Sequence, residues 1–388
     1  MAAVSIGIFT NAYGVFYSPL SKRLQVGRGM VAVHATIAGL LTGILGPVAV
    51  RLYQRINSRI LIAIGVIILA ISTWLIIPAD RIWMLNVIGI LRGIGCSLLY
   101  IPALTLIIGN WFRKYYGTVL GITFSFSGIS GAVLSPVFSR VVDTYGCEKA
   151  LMICTVLVMI FALPGILFCR FKPSEIGMPP LGEEEDLRVK EEVQKRKEDN
   201  HADKKKMTIL MCVIGFLAVF VSGFTQHMSG YSESIGMGTT LGVQMMSCAM
   251  VGNIVFKLLS GIWTDLFGTV KTVNSMFVIT GTALLIFLFH PQNTVFMLMG
   301  AFLFGSVYSF GAVGLAAVTK EIFGETDFGN AYALISMFTC VGASVSLTVI
   351  GALYDKFQNY IAAIGILILF CLISIIGICC SMHEKSRH

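Results

Sequence analysis

Residues 360–381 read YIAAIGILILFCLISIIGICCS, a run of 22 residues without one Asp, Glu, Lys or Arg. The hydrocarbon layer of a bilayer is about 30 Å thick and a helix rises about 1.5 Å per residue, so about 20 apolar residues make one crossing. Reading back from this run, eleven more apolar stretches are set apart by charged or turn residues. The first six candidate spans cover roughly 2–20, 30–50, 58–78, 82–108, 115–138 and 148–169. The second six cover roughly 208–228, 236–262, 272–290, 294–318, 328–353 and 360–381. Of the 388 residues 56% are hydrophobic and 12% charged, where a soluble domain is about a quarter charged. The expected fold is an all-α membrane protein of twelve transmembrane helices in two six-helix halves.

The spans repeat. Spans three to six begin near 58, 82, 116 and 148, and adding 212 to each gives 270, 294, 328 and 360, where spans nine to twelve begin. Residues recur at the same offset, Gly117 with Gly329 and Asp143 with Asp355. Two related halves, residues 1–170 and 207–388, are thus joined by a charged linker over 171–206. The linker holds 19 of the 48 charged side chains, nine basic and ten acidic, so it adds almost nothing to the net charge of +8. Beyond Pro179 and Pro180 its acids and bases alternate, the composition of a solvated tether with some helix. Six helices plus six in the same orientation place a substrate site near mid-membrane, between the halves.

A basic balance can signal nucleic acid, but no basic patch falls on a segment able to fold in water. Lysines and arginines beside a membrane are instead drawn to its anionic inner leaflet. The lipid bilayer is therefore the expected partner, and nucleic acid is not. With both termini cytoplasmic, the inner loops and tail carry 19 Lys or Arg and the outer loops seven, the bias that sets orientation. Ten of those 19 lie between Arg170 and Lys206, so the second half is the clearer witness: Lys271, Lys320, Lys385 and Arg387 inside against Lys356 outside. A multi-pass protein of the cell membrane follows.

The ten cysteines, Cys96, Cys154, Cys248, Cys371, Cys379 and Cys380 among them, lie in apolar runs without CxxC spacing. They read as small hydrophobes rather than disulfides or a zinc site. Met1 leads directly into span one without a basic leader, so a cleaved signal peptide is not expected. Phosphate-binding loops, H-E-x-x-H and G-x-S-x-G are absent, so neither an enzyme nor a cofactor is expected, and transport would run on gradients.

Gly261, Asp265 and Gly268 form G-x-x-x-D-x-x-G at the end of span eight. Small residues let neighbouring helices approach closely, and the acid can accept hydrogen bonds from a helix end across the loop. Placed between spans eight and nine of twelve, the motif resembles the signature loop of the major facilitator superfamily. Its first-half counterpart departs, with Tyr53 where the offset puts the acid and Arg51, Arg55 and Arg59 around it. Gly93, Gly95, Tyr100, Pro102 and Ala103 lead into Trp111 and Phe112, then Gly117, Gly121, Ser127, Gly128, Gly131 and Pro136. This stretch is similar to spans four and five of the oxalate:formate antiporter and monocarboxylate porter branch. Tyr13, Gly14, Val15, Phe16, Pro19 and Leu20 resemble its first span. The resemblance implies a twelve-helix carrier working by alternating access. The glycines also read as packing surfaces for helices that rock, which such a carrier needs.

Two charges lie inside the spans: Arg92 near the middle of span four and Lys257 toward the far end of span eight, and no Asp or Glu is comparably deep. A cation in mid-membrane costs roughly 2.5–3.5 kcal/mol on insertion scales, so it faces a partner or a wet cavity. With no carboxylate in the chain to meet it, an anionic substrate is the natural counterpart. Lys257 stands four residues before Gly261, where antiporters of the branch resembled carry a substrate-facing arginine. The resemblance therefore implies that Lys257 holds the substrate carboxylate; the alternative is a lysine snorkelling to headgroups. Arg92 departs from the branch, which has an uncharged residue before this G-x-G, and reads either as a second clamp or as a donor to carbonyls of a neighbouring helix. The oxalate carriers resembled have a lysine in span eleven; residues 328–353 here have no Lys or Arg. That absence favours a monocarboxylate unless Arg92 is the second clamp.

Asn11, Tyr13, Tyr100, Asn253, Tyr308, Tyr332 and Ser336 lie at depths from which they could complete the cavity. A buried tyrosine offers a carboxylate its hydroxyl and a small carbon skeleton its flat face. Taken singly, each reads equally as helix packing or as interfacial aromatic belt. His34, near the outer end of span two, and His227, ending span seven six residues before Glu233, are proton-carrying candidates, and both read as wet at the outer surface. Without a deep acid, exchange or facilitated diffusion fits better than proton coupling.

The expected function is a secondary active or facilitative carrier of a small organic anion, a monocarboxylate or an oxalate- or formate-like one, coupled to a proton or counter-anion if at all, and monomeric. A rival is a carrier for another solute, such as a cation or drug exporter, which should show a mid-span acid that this chain lacks. A second rival is a transport-dead membrane sensor signalling through the linker.

Overall fold

The computed structural model describes residues 1–26, 28–182 and 201–387. The expected solvated tether falls largely on residues 183–200, outside the described residues.

Twelve apolar helices follow one another among the described residues. They are α1 (Ala3–Phe16), α2 (Val33–Arg55), α3 (Ser58–Trp74), α4 (Ile82–Trp111), α5 (Tyr116–Tyr145) and α6 (Cys147–Phe168), then α7 (Lys204–Ser234), α8 (Thr240–Phe267), α9 (Thr269–Phe289), α10 (Thr294–Gly324), α11 (Asp327–Phe357) and α12 (Ile361–Met382). Ten are long and apolar enough to cross a membrane, and α1 and α3 are shorter. The all-α architecture expected is the one found. Several helices run past their expected ends, furthest α5 to Tyr145, α7 to Ser234 and α10 to Gly324. These extensions are helical turns richer in polar residues, which hydropathy alone does not reward.

Helix ends follow local chemistry. Asn57 caps α3, its Oδ1 accepting the amide of Arg59 at 3.0 Å, and Asn293 caps α10, accepting those of Val295 and Phe296 at 3.0 and 3.2 Å. Past the other end of α3, Arg23 donates to the carbonyl oxygens of Ile76, Ile77 and Ala79. The side chain thereby satisfies oxygens that the end of the helix leaves without partners. Gly268, with φ +87°, turns the chain between α8 and α9 in a conformation that a side chain would strain.

On α3, Ile60, Ile64, Ile67, Ile71 and Trp74 form an exposed stripe at helical spacing, while Leu61, Ile62, Val66 and Leu69 are buried. A helix that is apolar on its exposed face as well as on its buried one is surrounded by an apolar solvent.

The chain divides into two compact units. The first comprises Met1–Trp111 and Phe126–Pro179, the second Phe112–Ser125 and Pro180–His388.

In the first unit, α4 breaks at Tyr100, whose backbone is extended (φ −85°, ψ −178°). Pro102 explains the break: it has no N–H to offer the carbonyl of Leu98. The oxygens left open are taken from elsewhere. Tyr53 Oη donates to Leu98 O at 2.9 Å and Ser5 Oγ to Leu99 O at 2.8 Å. Tyr53 is 1% exposed, so the residue standing in place of the repeat's acid is a buried donor to this break.

Close approach sets α2 against α4. A Cβ at Gly89 would stand 2.5 Å from the carbonyl oxygen of His34, and one at Gly93 would stand 2.9 Å from that of Ala38. The i, i+4 pair on α4 thus receives the backbone of the i, i+4 pair on α2.

In the second unit, α8 is flanked by glycines on two sides. Gly305 of α10 lies so near that a Cβ there would stand 2.5 Å from the amide nitrogen of Asn253. The Gly121 Cβ position on α5 is 2.5 Å from the carbonyl oxygen of Lys257.

Candidate functional site

In the first unit, Arg92 is 2% exposed on α4, on the side that Gly89 and Gly93 clear for α2. Its Nη2 donates to Tyr13 Oη at 2.6 Å and its Nη1 to His34 Nε2 at 3.3 Å. The guanidinium carbon lies 3.8 Å from the centroid of the Tyr13 ring and 5.3 Å from that of Phe9. A cation over an aromatic face recovers part of its lost hydration. Arg92 Nε has no hydrogen-bond partner among the described residues, and none of the partners of this side chain is a carboxylate.

His34 corrects the sequence reading. Read as wet at the outer surface, it is fully buried, with its imidazole against Arg92 and the rings of Tyr13 and Tyr17 edge-on to it at 5.8 and 5.9 Å. Arginine only donates, so Nε2 must carry the lone pair; the proton sits on Nδ1, which donates to the carbonyl oxygen of Val31. The signal that could have found this site was the glycine pair on α4, which pulls the backbone of His34 against the helix that bears Arg92.

Of the other first-unit candidates, Tyr13 joins Arg92 and is 1% exposed. Asn11 is turned to packing: its Nδ2 donates to Ser127 O at 3.0 Å, and it fills the space beside Gly131. Tyr100 is the half-buried residue at which α4 breaks.

In the second unit, Lys257 is 4% exposed and Asn253, one turn earlier on α8, is 2% exposed. The pair shares one helix face by its spacing of four. Asn253 Oδ1 has no hydrogen-bond partner among the described residues. Tyr332 and Ser336 stand one turn apart on α11, both buried; Tyr332 stacks on Phe328 with centroids 5.2 Å apart, and Ser336 Oγ lacks a hydrogen-bond partner among the described residues. Buried polar atoms of this kind are exceptions in folded proteins. Tyr308 is half-buried on α10, between Gly305 and the widened turns of Phe310–Gly314. His227, the other histidine read as a proton-carrying candidate, is half-buried and donates from Nε2 to Leu347 O at 3.1 Å.

The loop motif is also held in the second unit. Asp265 accepts from the amides that begin α5, where a carboxylate complements the positive end of the helix dipole. Gly261 packs on Gly117 so tightly that a Cβ on Gly261 would stand 2.5 Å from the carbonyl oxygen of Gly117. Among the described residues, no three His, Cys, Asp or Glu side chains gather as a metal site.

A family model described as the Major Facilitator Superfamily matches residues 1–255 and 239–387. The uncharacterized MFS-type transporter YcxA of Bacillus subtilis (strain 168) is 22% identical over 381 residues, covering 95% of this chain and 90% of that protein. Monocarboxylate transporter 12 of Rattus norvegicus is 25% identical over 303 residues, 71% of this chain; the match spans 61% of that longer protein. The solved structure of the proton:xylose symporter XylE bound to 6-bromo-6-deoxy-D-glucose superposes with a TM-score of 0.73 at 13% identity, over 97% of this chain and 92% of that one, a likeness of fold.

Proposed function

The chain belongs to the major facilitator superfamily, a multi-pass membrane transporter and not an enzyme, and from that membership we propose that it carries a small organic anion by alternating access. The observation that carries this reading is Arg92: a guanidinium 2% exposed whose partners are a phenol, an imidazole and two aromatic faces, with no carboxylate among them. Arginine stays charged at any accessible pH. A permanent buried cation is costly unless something negative visits it. In the second unit, Lys257 is a buried cation one helical turn after Asn253, whose Oδ1 has no hydrogen-bond partner among the described residues. Similarity to a protein named as a monocarboxylate transporter supports the same solute class. We place the carrier as a monomer in the cell membrane with both termini cytoplasmic, its halves 1–170 and 207–388 joined by the 171–206 linker, and its flux driven by a proton or counter-anion.

Counterflow in proteoliposomes tests this. Vesicles preloaded with unlabelled lactate, pyruvate, formate or oxalate should accelerate entry of the same labelled anion, and Arg92→Gln should reduce it. If none of the four anions shows counterflow while a cation or drug does, the anion assignment is wrong.

A further inference from the structure

The groups that face His34 among the described residues are these. From α4 it meets Arg92, whose Nη1 donates to Nε2 at 3.3 Å, and the backbone at Gly89. From the first span it meets the rings of Tyr13 and Tyr17, and from its own helix the carbonyl oxygen of Val31. No acid is among these groups, so the charge acting on the imidazole is that of Arg92.

The consequence is a competition. While Arg92 donates to Nε2, a proton there would replace a hydrogen bond by two cations in contact, and the imidazole stays neutral. An anion that engages the guanidinium changes both terms. It supplies negative charge beside the ring, and it draws Arg92 donors toward itself, with Nε already without a hydrogen-bond partner among the described residues. Nε2 then faces an electroneutral pair and is open to a proton. Sequence alone argued against proton coupling for want of a deep acid, but an imidazole held by a buried arginine serves where an acid would.

We infer that His34 is the proton-binding group of this carrier: capture of the substrate anion by Arg92 frees His34 Nε2 to take one proton, and proton and anion cross together as an electroneutral pair. The inference rests on the anion reading above and adds its coupling ion. The proton comes from water on the loading side and leaves when Arg92 releases the anion and returns to the ring. The coupling is reciprocal: the factor by which the anion raises the affinity for the proton is the factor by which the proton raises the affinity for the anion.

The test uses the full chain in proteoliposomes with a pH-reporting dye in the lumen and labelled lactate, pyruvate, formate or oxalate. In the wild type, an inward gradient of one pH unit should raise accumulation about tenfold, and the lumen should acidify as the anion enters. His34→Gln keeps an oxygen that can accept from Arg92 but holds no proton. Without the proton it should bind the anion more weakly by the reciprocal factor, so counterflow persists at raised anion concentration while gradient-driven accumulation and acidification are lost. Accumulation in His34→Gln that still follows the pH gradient would overturn the inference, as would wild-type anion entry without acidification. His34→Asn guards against a folding failure: loss of counterflow in both variants, with tryptophan fluorescence showing both folded, would make His34 a structural residue and overturn it too. Wild-type vesicles without counterflow for any of the anions would sink the anion reading together with the inference. Counterflow without proton movement would sink the inference alone.

Discussion

The carboxylate of Asp265 caps the first turn of α5, where Thr118 lies. Its Oδ2 accepts the Thr118 amide at 2.7 Å while its Oδ1 accepts that of Gly117 at 3.0 Å. An acid in the last turn of α8 thereby closes two of the open N–H groups at the start of α5. Asp265→Ala should lower stability by about 1–2 kcal/mol, the usual cost of losing such a cap. Asp265→Asn, which keeps one acceptor oxygen, should lose less. Thermal unfolding in detergent, followed by tryptophan fluorescence, checks the order.

Gly89 is the point at which α2 and α4 meet. Its Cβ position is 2.5 Å from the carbonyl oxygen of His34, and backbone cannot be moved aside as a side-chain tip can. Gly89→Val should destabilise by about 1–3 kcal/mol, the range for overpacking. It should also weaken pH-gradient-driven uptake by parting His34 from Arg92. Unfolding temperature and uptake are the two readouts, and an unchanged unfolding temperature would contradict the packing described.

Tyr53→Phe removes one oxygen atom and leaves the Leu98 carbonyl without its 2.9 Å donor. An unpaired buried acceptor costs about 1–3 kcal/mol. The loss should appear as a lower unfolding temperature, while the substrate profile stays as in the wild type.

Lys257→Ala should abolish anion uptake, by at least about tenfold if the lost contact is an ordinary hydrogen bond to a charged group, while expression stays intact. Lys257→Arg should keep part of the transport. Uptake at the wild-type level in Lys257→Ala removes the residue from the site.

The helical frame was legible in the sequence because apolar length is a direct physical requirement of the bilayer, and because Gly117 with Gly329 and Asp143 with Asp355 expose the repeat. Interruptions within helices were harder to read. Pro102 announced a break in α4, but nothing at Ser5 or Tyr53 said that their hydroxyls would fill it, since those contacts join residues 94 and 45 positions apart. The widened turns at Phe310–Gly314 left no mark in an apolar run.

The burial of Arg92 in the first unit and of Lys257 in the second was legible because depth can be counted along a span. Tyr13 was singled out by its type, a phenol at the depth of the arginine that it meets. His34 was placed at the right depth but in the wrong medium. An apolar stretch has no polar face from which to tell which side of a helix turns inward, so burial depended on the glycines of a different helix. Asn11 shows the reverse: its amide, polar and at the right level, is engaged by Ser127 O for packing.

The break in α4 ties three distant positions into one inherited unit. Pro102 creates an open oxygen at Leu98, and Tyr53 fills it. An alanine at 102 would restore an N–H able to reach that oxygen, turning the phenol from sole donor into a spare. Tyr53→Phe should therefore be milder in a Pro102→Ala background, a non-additivity that a double-mutant cycle would measure. Substitutions at one of the two positions become tolerable or harmful according to what occupies the other.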